Sequence, residues 1–337
     1  MAGGCQVMTV WGRLKGRRRA SALLCTLFLG VSVCVSGCSA GYEDAYVLEE
    51  RIPALDEGAA PARFADAFAS DLCVVTDESG FDADFATSEA AALFDISDRK
   101  VLYSKEAFEK LYPASVTKVM TALVAIKEGD LNSRVHVTEE AVITESGATL
   151  CGIEPGDTLT LEQLLYGLML PSGNDAGAAI AVHIAGSIDA FADMMNEEAL
   201  RLGATGTHFV NPHGLNDPDH YTTAYDLYLI FNEALKYPAF RQIVGTTAYT
   251  ANYHNKNSEP VTKTWKGGNW FMTGERETPD GLKVFGGKTG TTKAAGYCLI
   301  MASRDDSDKE YISVVLKADS RPHLYDNMAN IISKIVK

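Results

Sequence analysis

The chain has 337 residues, 46% of them hydrophobic, with 44 acidic residues against 30 basic ones. That composition suits a globular protein with an ample core, built as one large or two modest domains. A formal charge of −14 removes the electrostatic basis for holding nucleic acid or anionic lipid, so no nucleic-acid partner is expected.

The N-terminus is of another character. Arg13, Lys15, Arg17, Arg18 and Arg19 precede an apolar run over residues 20–35. A run of that length is short for a membrane span, which needs about 20 residues, and suits the core of a signal peptide. It ends in VSGC at Cys38, which resembles a bacterial lipobox and implies cleavage before Cys38 and lipidation of its thiol. A plain signal peptide or an uncleaved anchor is the alternative. Removing residues 1–37 takes the charge from −14 to −19 over the remaining 300 residues. Any membrane attachment would then come from the lipid. Cys73, Cys151 and Cys298 remain, as one disulfide with a free thiol or as three buried thiols. No cysteine or histidine spacing matches a zinc site, and no metal or cofactor is expected.

Residues 38–70 mix Ala, Glu, Asp and Pro without firm periodicity and read as a tether, leaving residues 71–337 for the folded domain. AAALFDI and KVLYS, joined by SDR, predict a β-hairpin at 90–104, and a helix follows at 114–127. From there to about residue 245 the pattern is mostly helical. Thr160 is a cap for the helix at LEQLLYGLML, NDAGAAIAVHIAG predicts a buried helix, and two further helices follow. GLKVFGGKTGTT, GYCLIMASR and EYISVVLKA predict three strands, with a solvated turn at DDSD, and an amphipathic helix closes the chain. The order predicts an α+β fold: a five-stranded antiparallel sheet built from both ends of the domain, flanked by helices, with a helical region inserted.

Three short motifs stand along this frame: SVTK (Ser115, Lys118), SGN (Ser172, Asn174) and KTG (Lys288, Thr289, Gly290). Each alone is weak. Together, at a helix start, a loop between helices and a sheet strand, they form a specific pattern. The chain resembles the penicillin-recognising serine enzymes, and among them the serine D-alanyl-D-alanine carboxypeptidases. The resemblance runs over residues 90–320 and includes EPGDTLTLEQLLYGLMLPSGNDA, FVNPHGLND, TAYDL and AGYCL.

The chemistry can be reasoned from the residues. A serine hydroxyl is a weak nucleophile and needs an adjacent base. Lys118 stands one turn from Ser115 beside Val116, Val119, Met120 and Leu123. It can be that base if burial and a second cation, Lys288, keep its amine neutral. Ser172 would carry the proton to the leaving amine, and Asn174 would hold Lys118 and the substrate amide. Lys288 and Thr289 would receive the terminal carboxylate of a peptidoglycan stem peptide, and Gly290 would let substrate lie close to the strand. The resemblance implies an oxyanion hole from the backbone N–H groups of Ser115 and Thr291, and β-lactams as covalent inhibitors.

The chain departs from the carboxypeptidase pattern at Gly287, where an aliphatic residue is usual, and at Thr291, where an aromatic or His is usual. The family's C-terminal β-domain and amphipathic anchor are expected to be missing, and a lipid on Cys38 would replace that anchor. Two other functions fit the motifs: a β-lactamase, and a non-catalytic lipoprotein that binds peptidoglycan or senses β-lactams. Against the first, the second motif is SGN rather than SDN. His208, His213 and His220 read as a turn-rich loop packed beside the active site rather than as metal ligands. His183, on an apolar helix, reads as a core histidine, and Cys151 and Cys298 as small buried side chains.

Overall fold

The structure, a computed structural model, describes residues 71–75 and 87–336. The segment read as a signal peptide, Cys38 and the whole tether over residues 38–70 lie outside the described residues.

Two strands, β1 (Ala90–Asp95) and β2 (Lys100–Lys105), form the expected hairpin. A 3-10 turn at Ala114–Thr117 leads into α1 (Lys118–Glu128). Then come β3 (Arg134–His136), β4 (Thr158–Thr160), α2 (Leu161–Met169), α3 (Asn174–Ala185) and α4 (Ile188–Arg201). After α5 (Ala224–Ala234) and α6 (Pro238–Val244) the chain forms β5 (Ala248–His254), β6 (Pro260–Lys266) and the short α7 (Trp270–Thr273). It finishes with β7 (Leu282–Thr292), β8 (Gly296–Asp305), β9 (Glu310–Ala318) and α8 (Arg321–Ile332).

The five-stranded antiparallel sheet predicted from the sequence is present, in the order β2-β1-β9-β8-β7. Its middle strands are apolar on both faces because both faces are covered. Ala90, Ala92, Phe94, Ile300, Ile312 and Val314 face the helical core around α1 and α5. Ala91, Leu93, Leu299, Met301 and Val315 alternate with them and pack under α8 with Tyr325, Met328 and Ile332. Phe94 stacks on Tyr228 of α5 with ring centroids 4.1 Å apart, tying the sheet to the helices.

The middle of the chain is less purely helical than its pattern suggests. A second sheet, in the order β3-β4-β5-β6, runs across it. β3 and β4 have three residues each, too few to show a period, and exist through their mutual pairing. The β5–β6 hairpin keeps most of its polar alternate side chains exposed while Ala251, Tyr253 and Trp265 point inward. Thr160 caps α2 as expected, accepting from Gln163 N–H while the Gln163 side chain accepts from Thr160 N–H, a capping box. His183 is a correction. Burial of α3 covers Asn174–Ala181 and fades in its last turn, so His183 is exposed, its Nε2 2.9 Å from Ser133 Oγ.

The segment 207–223 is sewn onto one face of α1. Thr121 donates to Pro212 O at 2.6 Å, and Lys118 donates to His213 O at 2.6 Å. Val210 N–H donates to His220 Nδ1, which leaves Nε2–H to donate to Thr117 Oγ1 at 2.8 Å. Gly214, at φ 85°, lies against the turn before α1; a Cβ there would stand 1.8 Å from Ala114 O. Both the φ angle and the contact exclude a side chain. Gly214→Ala should therefore destabilise the protein by at least about 2 kcal/mol in urea unfolding. A neutral result would mean that this loop is not pressed against α1.

Candidate active site

Ser115 sits in the 3-10 turn and Lys118 is the first residue of α1. With three residues per turn, a 3-10 turn eclipses positions three apart, which aligns the hydroxyl with the amine more closely than an α-helix would. Ala114, just before Ser115, has φ 48°, the left-handed region that an alanine enters only when its surroundings impose it.

Lys118 is fully buried, and its Nζ has three polar neighbours: Ser115 Oγ at 2.9 Å, Asn174 Oδ1 at 2.7 Å and His213 O at 2.6 Å. Asn174 Oδ1 and the His213 carbonyl can only accept. A neutral amine has two N–H groups and one lone pair. Both N–H groups are taken by those acceptors, and the lone pair is left for the Ser115 O–H. Burial, and secondarily the charge of Lys288, hold the Lys118 amine well below the usual lysine range, with Asp175 opposing them. This is the arrangement that a serine nucleophile with a lysine base requires.

Lys288 on β7 is 3% exposed and reaches back to Ser172 Oγ at 2.9 Å and Thr289 O at 2.7 Å. Burial pushes its amine down to about 7. Ser172 has φ 65° in the loop between α2 and α3, which Gly173 N–H closes by donating to Gly167 O at 3.0 Å. The three motifs thus converge. The two lysines and Asn174 form a buried floor, and the partly exposed hydroxyls of Ser115, Ser172 and Thr289 stand above it.

Gly290 faces the chain's own backbone. A Cβ there would lie 2.9 Å from Ser115 N and 2.9 Å from Pro113 O. The close approach that demands glycine is therefore between β7 and the Ser115 turn, where the sequence suggested an approach of substrate. Ser115, Asn174, His213 and the exposed Thr291 line a cleft of about 420 Å³ that continues to Glu145 and Lys293. That size is ordinary for a small-ligand site.

The histidine loop packs beside the site as the sequence suggested. Burial is the leading cause that holds His213 at about 3 and His220 at about 4. Both are neutral. Cys73, Cys151 and Cys298 are buried free thiols, with burial as the leading cause of pKa values raised to about 11 for Cys73 and about 12 for Cys298.

Asp175 has a part that no motif announced. Its carboxylate accepts from Cys151, Gly152, Ile153 and Ala176 N–H, fixing the segment before β4 to the start of α3. Its adjacency to Asn174 was the only local signal. The strained Ala114 and Ser172 had none, because neither residue type advertises a positive φ.

Comparison with known proteins agrees with this geometry. The family description D-alanyl-D-alanine carboxypeptidase matches residues 78–320. The curated enzyme DacF of Bacillus subtilis is 34% identical over 69% of this chain and 58% of its own length. The D-alanyl-D-alanine carboxypeptidase of Streptomyces sp. K15 is 34% identical over 66% of this chain and 77% of its own length. DacC of Escherichia coli is 36% identical, with 59% of its length covered, so the chain spans little more than half of some relatives. The crystal structure of the Streptomyces K15 DD-transpeptidase superposes with a TM-score of 0.68 at 31% identity, over 74% of this chain and 96% of that one. A D-alanyl-D-alanine carboxypeptidase structure from Mycobacterium tuberculosis gives 0.65 at 29% identity, over 74% and 91%. With its family match spanning most of the domain and its three motifs meeting at one buried lysine, the chain belongs to the D-alanyl-D-alanine carboxypeptidase family.

Proposed function

We propose that the protein is a serine carboxypeptidase that removes the terminal D-alanine from peptidoglycan stem pentapeptides. The observation that carries this reading is the placement of Lys118 Nζ, with two acceptors for its N–H groups and Ser115 Oγ 2.9 Å from it. Ser115 Oγ attacks the carbonyl of the penultimate residue and passes its proton to Lys118. The N–H groups of Ser115 and Thr291 hold the oxyanion. The carbon–nitrogen bond breaks as the leaving amine takes a proton through Ser172, and water then releases the acyl group with Lys118 again as base. Lys288 and Thr289 hold the substrate's terminal carboxylate.

A β-lactam carries a comparable carboxylate and should acylate Ser115. Its amine stays tethered after ring opening and impedes water, so it should inhibit. The deciding assay measures free D-alanine from a pentapeptide, with and without an added amine acceptor, beside hydrolysis of a chromogenic β-lactam. Free D-alanine with slow lactam turnover is expected. Fast lactam turnover without D-alanine would point to a β-lactamase, transfer to the amine alone to a transpeptidase, and no adduct on Ser115 to a binding protein. We also propose that a lipid on Cys38 anchors the protein outside the cytoplasm, supported by the basic stretch, the apolar run and VSGC.

Four outcomes are expected. Lys118→Arg, which keeps a long basic side chain but has no lone pair to offer, should slow penicillin acylation by about two to four orders of magnitude; a near-normal rate would require another base. Acylation should fall as the pH drops through the depressed pKa of Lys118, because protonation removes the lone pair. Lys288→Ala removes one of the causes that depress Lys118, so this acid limb should move to higher pH; an unmoved limb would assign it to another group. Cys38→Ala should abolish partitioning into detergent, and unchanged partitioning would rule out the lipid.

A further inference from the structure

The cleft that runs from Ser115 is lined by Asn174 and Thr291 but by none of Ser172, Lys288 and Thr289. In the proposed reaction those three handle the leaving amine and the terminal carboxylate. The terminal residue of the peptide therefore lies outside this cleft, and the acyl part lies in it. One wall of the cleft is the segment 145–149, which belongs to no helix or strand. Something outside the segment must hold it in place.

The first turn of α3 does so. Asn174 N–H donates to Thr149 O at 2.8 Å. Asp175, buried beside it, accepts from three successive N–H groups, those of Cys151 at 2.9 Å, Gly152 at 2.7 Å and Ile153 at 3.2 Å. A run of N–H groups around one carboxylate is a charge-assisted anchor, stronger than bonds between neutral groups. From the other side β6 holds the same segment, with Trp265 Nε1 donating to Cys151 O at 2.9 Å and Lys263 Nζ donating to Gly152 O. Asn174 also accepts from Lys118. One helical turn thus carries both a partner of the base and the clamp on the cleft wall.

We propose that Asp175 is a positioning residue for the reaction, locking the wall at 145–149 to the turn that holds Lys118, so that the acyl part of the substrate and the base share one frame. This rests on the carboxypeptidase reading. The charge of Asp175 has a second effect. The titratable groups that act on Lys118 are Lys288 from β7, Asp175 from α3, and the neutral His213 and His220 of the segment 207–223. Lys288 pushes the Lys118 amine down and Asp175 pushes it up, so Asp175 limits how far the base is depressed.

The test measures free D-alanine from a stem pentapeptide and from N-acetyl-D-alanyl-D-alanine, whose acyl part is a single acetylated residue. Asp175→Asn sets an amide NH2 among backbone N–H groups and should loosen the wall, lowering the pentapeptide-to-dipeptide ratio of kcat/KM by about tenfold or more. It also removes the charge, so the acid limb of acylation should move to lower pH, opposite to Lys288→Ala. Gly152→Ala disturbs the same segment from its far side, because Gly152 has φ 79° and a Cβ there would meet Lys263 Nζ. It leaves the charge of Asp175 in place, so the ratio should fall while the limb stays. Partial loss of folding lowers all rates together and changes neither the ratio nor the limb. An unchanged ratio in either variant overturns the proposal, as does a limb that fails to move down in Asp175→Asn or that moves in Gly152→Ala. Wild-type protein that releases D-alanine from neither peptide would overturn the carboxypeptidase reading, and this proposal with it.

Discussion

Keeping one lysine amine dry and directing its lone pair at a serine imposes demands on almost every element around it. A buried ammonium is costly, so the amine is stable only as the neutral base, and then each of its N–H groups needs an acceptor. Asn174 and the carbonyl of His213 meet that need from segments 56 and 95 residues away in sequence. To bring them there, α3 must start at the SGN loop and the segment 207–223 must be fastened to α1. Thr117 and Thr121 do the fastening, one helical turn apart. The surrounding residues of α1, from Val119 to Ala125, are buried, which keeps water from the amine.

The same constraint accounts for strained and crowded backbone at the site. Ala114 and Ser172 both adopt positive φ, each next to or at a hydroxyl of the site. Such conformations cost on the order of 1–3 kcal/mol each and persist only where the surroundings over-determine them. Gly214 and Gly290 are the surroundings in question, each giving up a side chain so that another backbone can press on the Ser115 turn. The rigid reference is the central sheet, whose middle strands are packed on both faces and hold β7 in register.

Lys288 joins this arrangement electrostatically. Its buried amine lies near 7, so the approach of an anionic substrate group would favour its charged form, and that charge would in turn hold Lys118 neutral. In the proposed reaction, recognition of a carboxylate and readiness of the base would thereby be linked through two amines.

The fold class and the pairing of Ser115 with Lys118 were legible in the sequence because both rest on local order. The strands of the central sheet are unbroken apolar or alternating runs, the cap of α2 carries Thr160, and Ser115 with Lys118 are neighbours on one turn. The short strands β3 and β4 were not legible, since three residues have no period, and the exposed end of α3 at His183 was misread because an apolar helix does not reveal which turn leaves the core. Nor could the sequence show that Lys118 is shared between Asn174 and His213 O, that Gly290 yields to the Ser115 turn, or that Asp175 gathers four N–H groups. These contacts join residues distant along the chain, and their energies depend on which groups lose water together. Residue types and their spacing determined what chemistry was available; only the packing of distant segments decided which amine is dry and where its lone pair points.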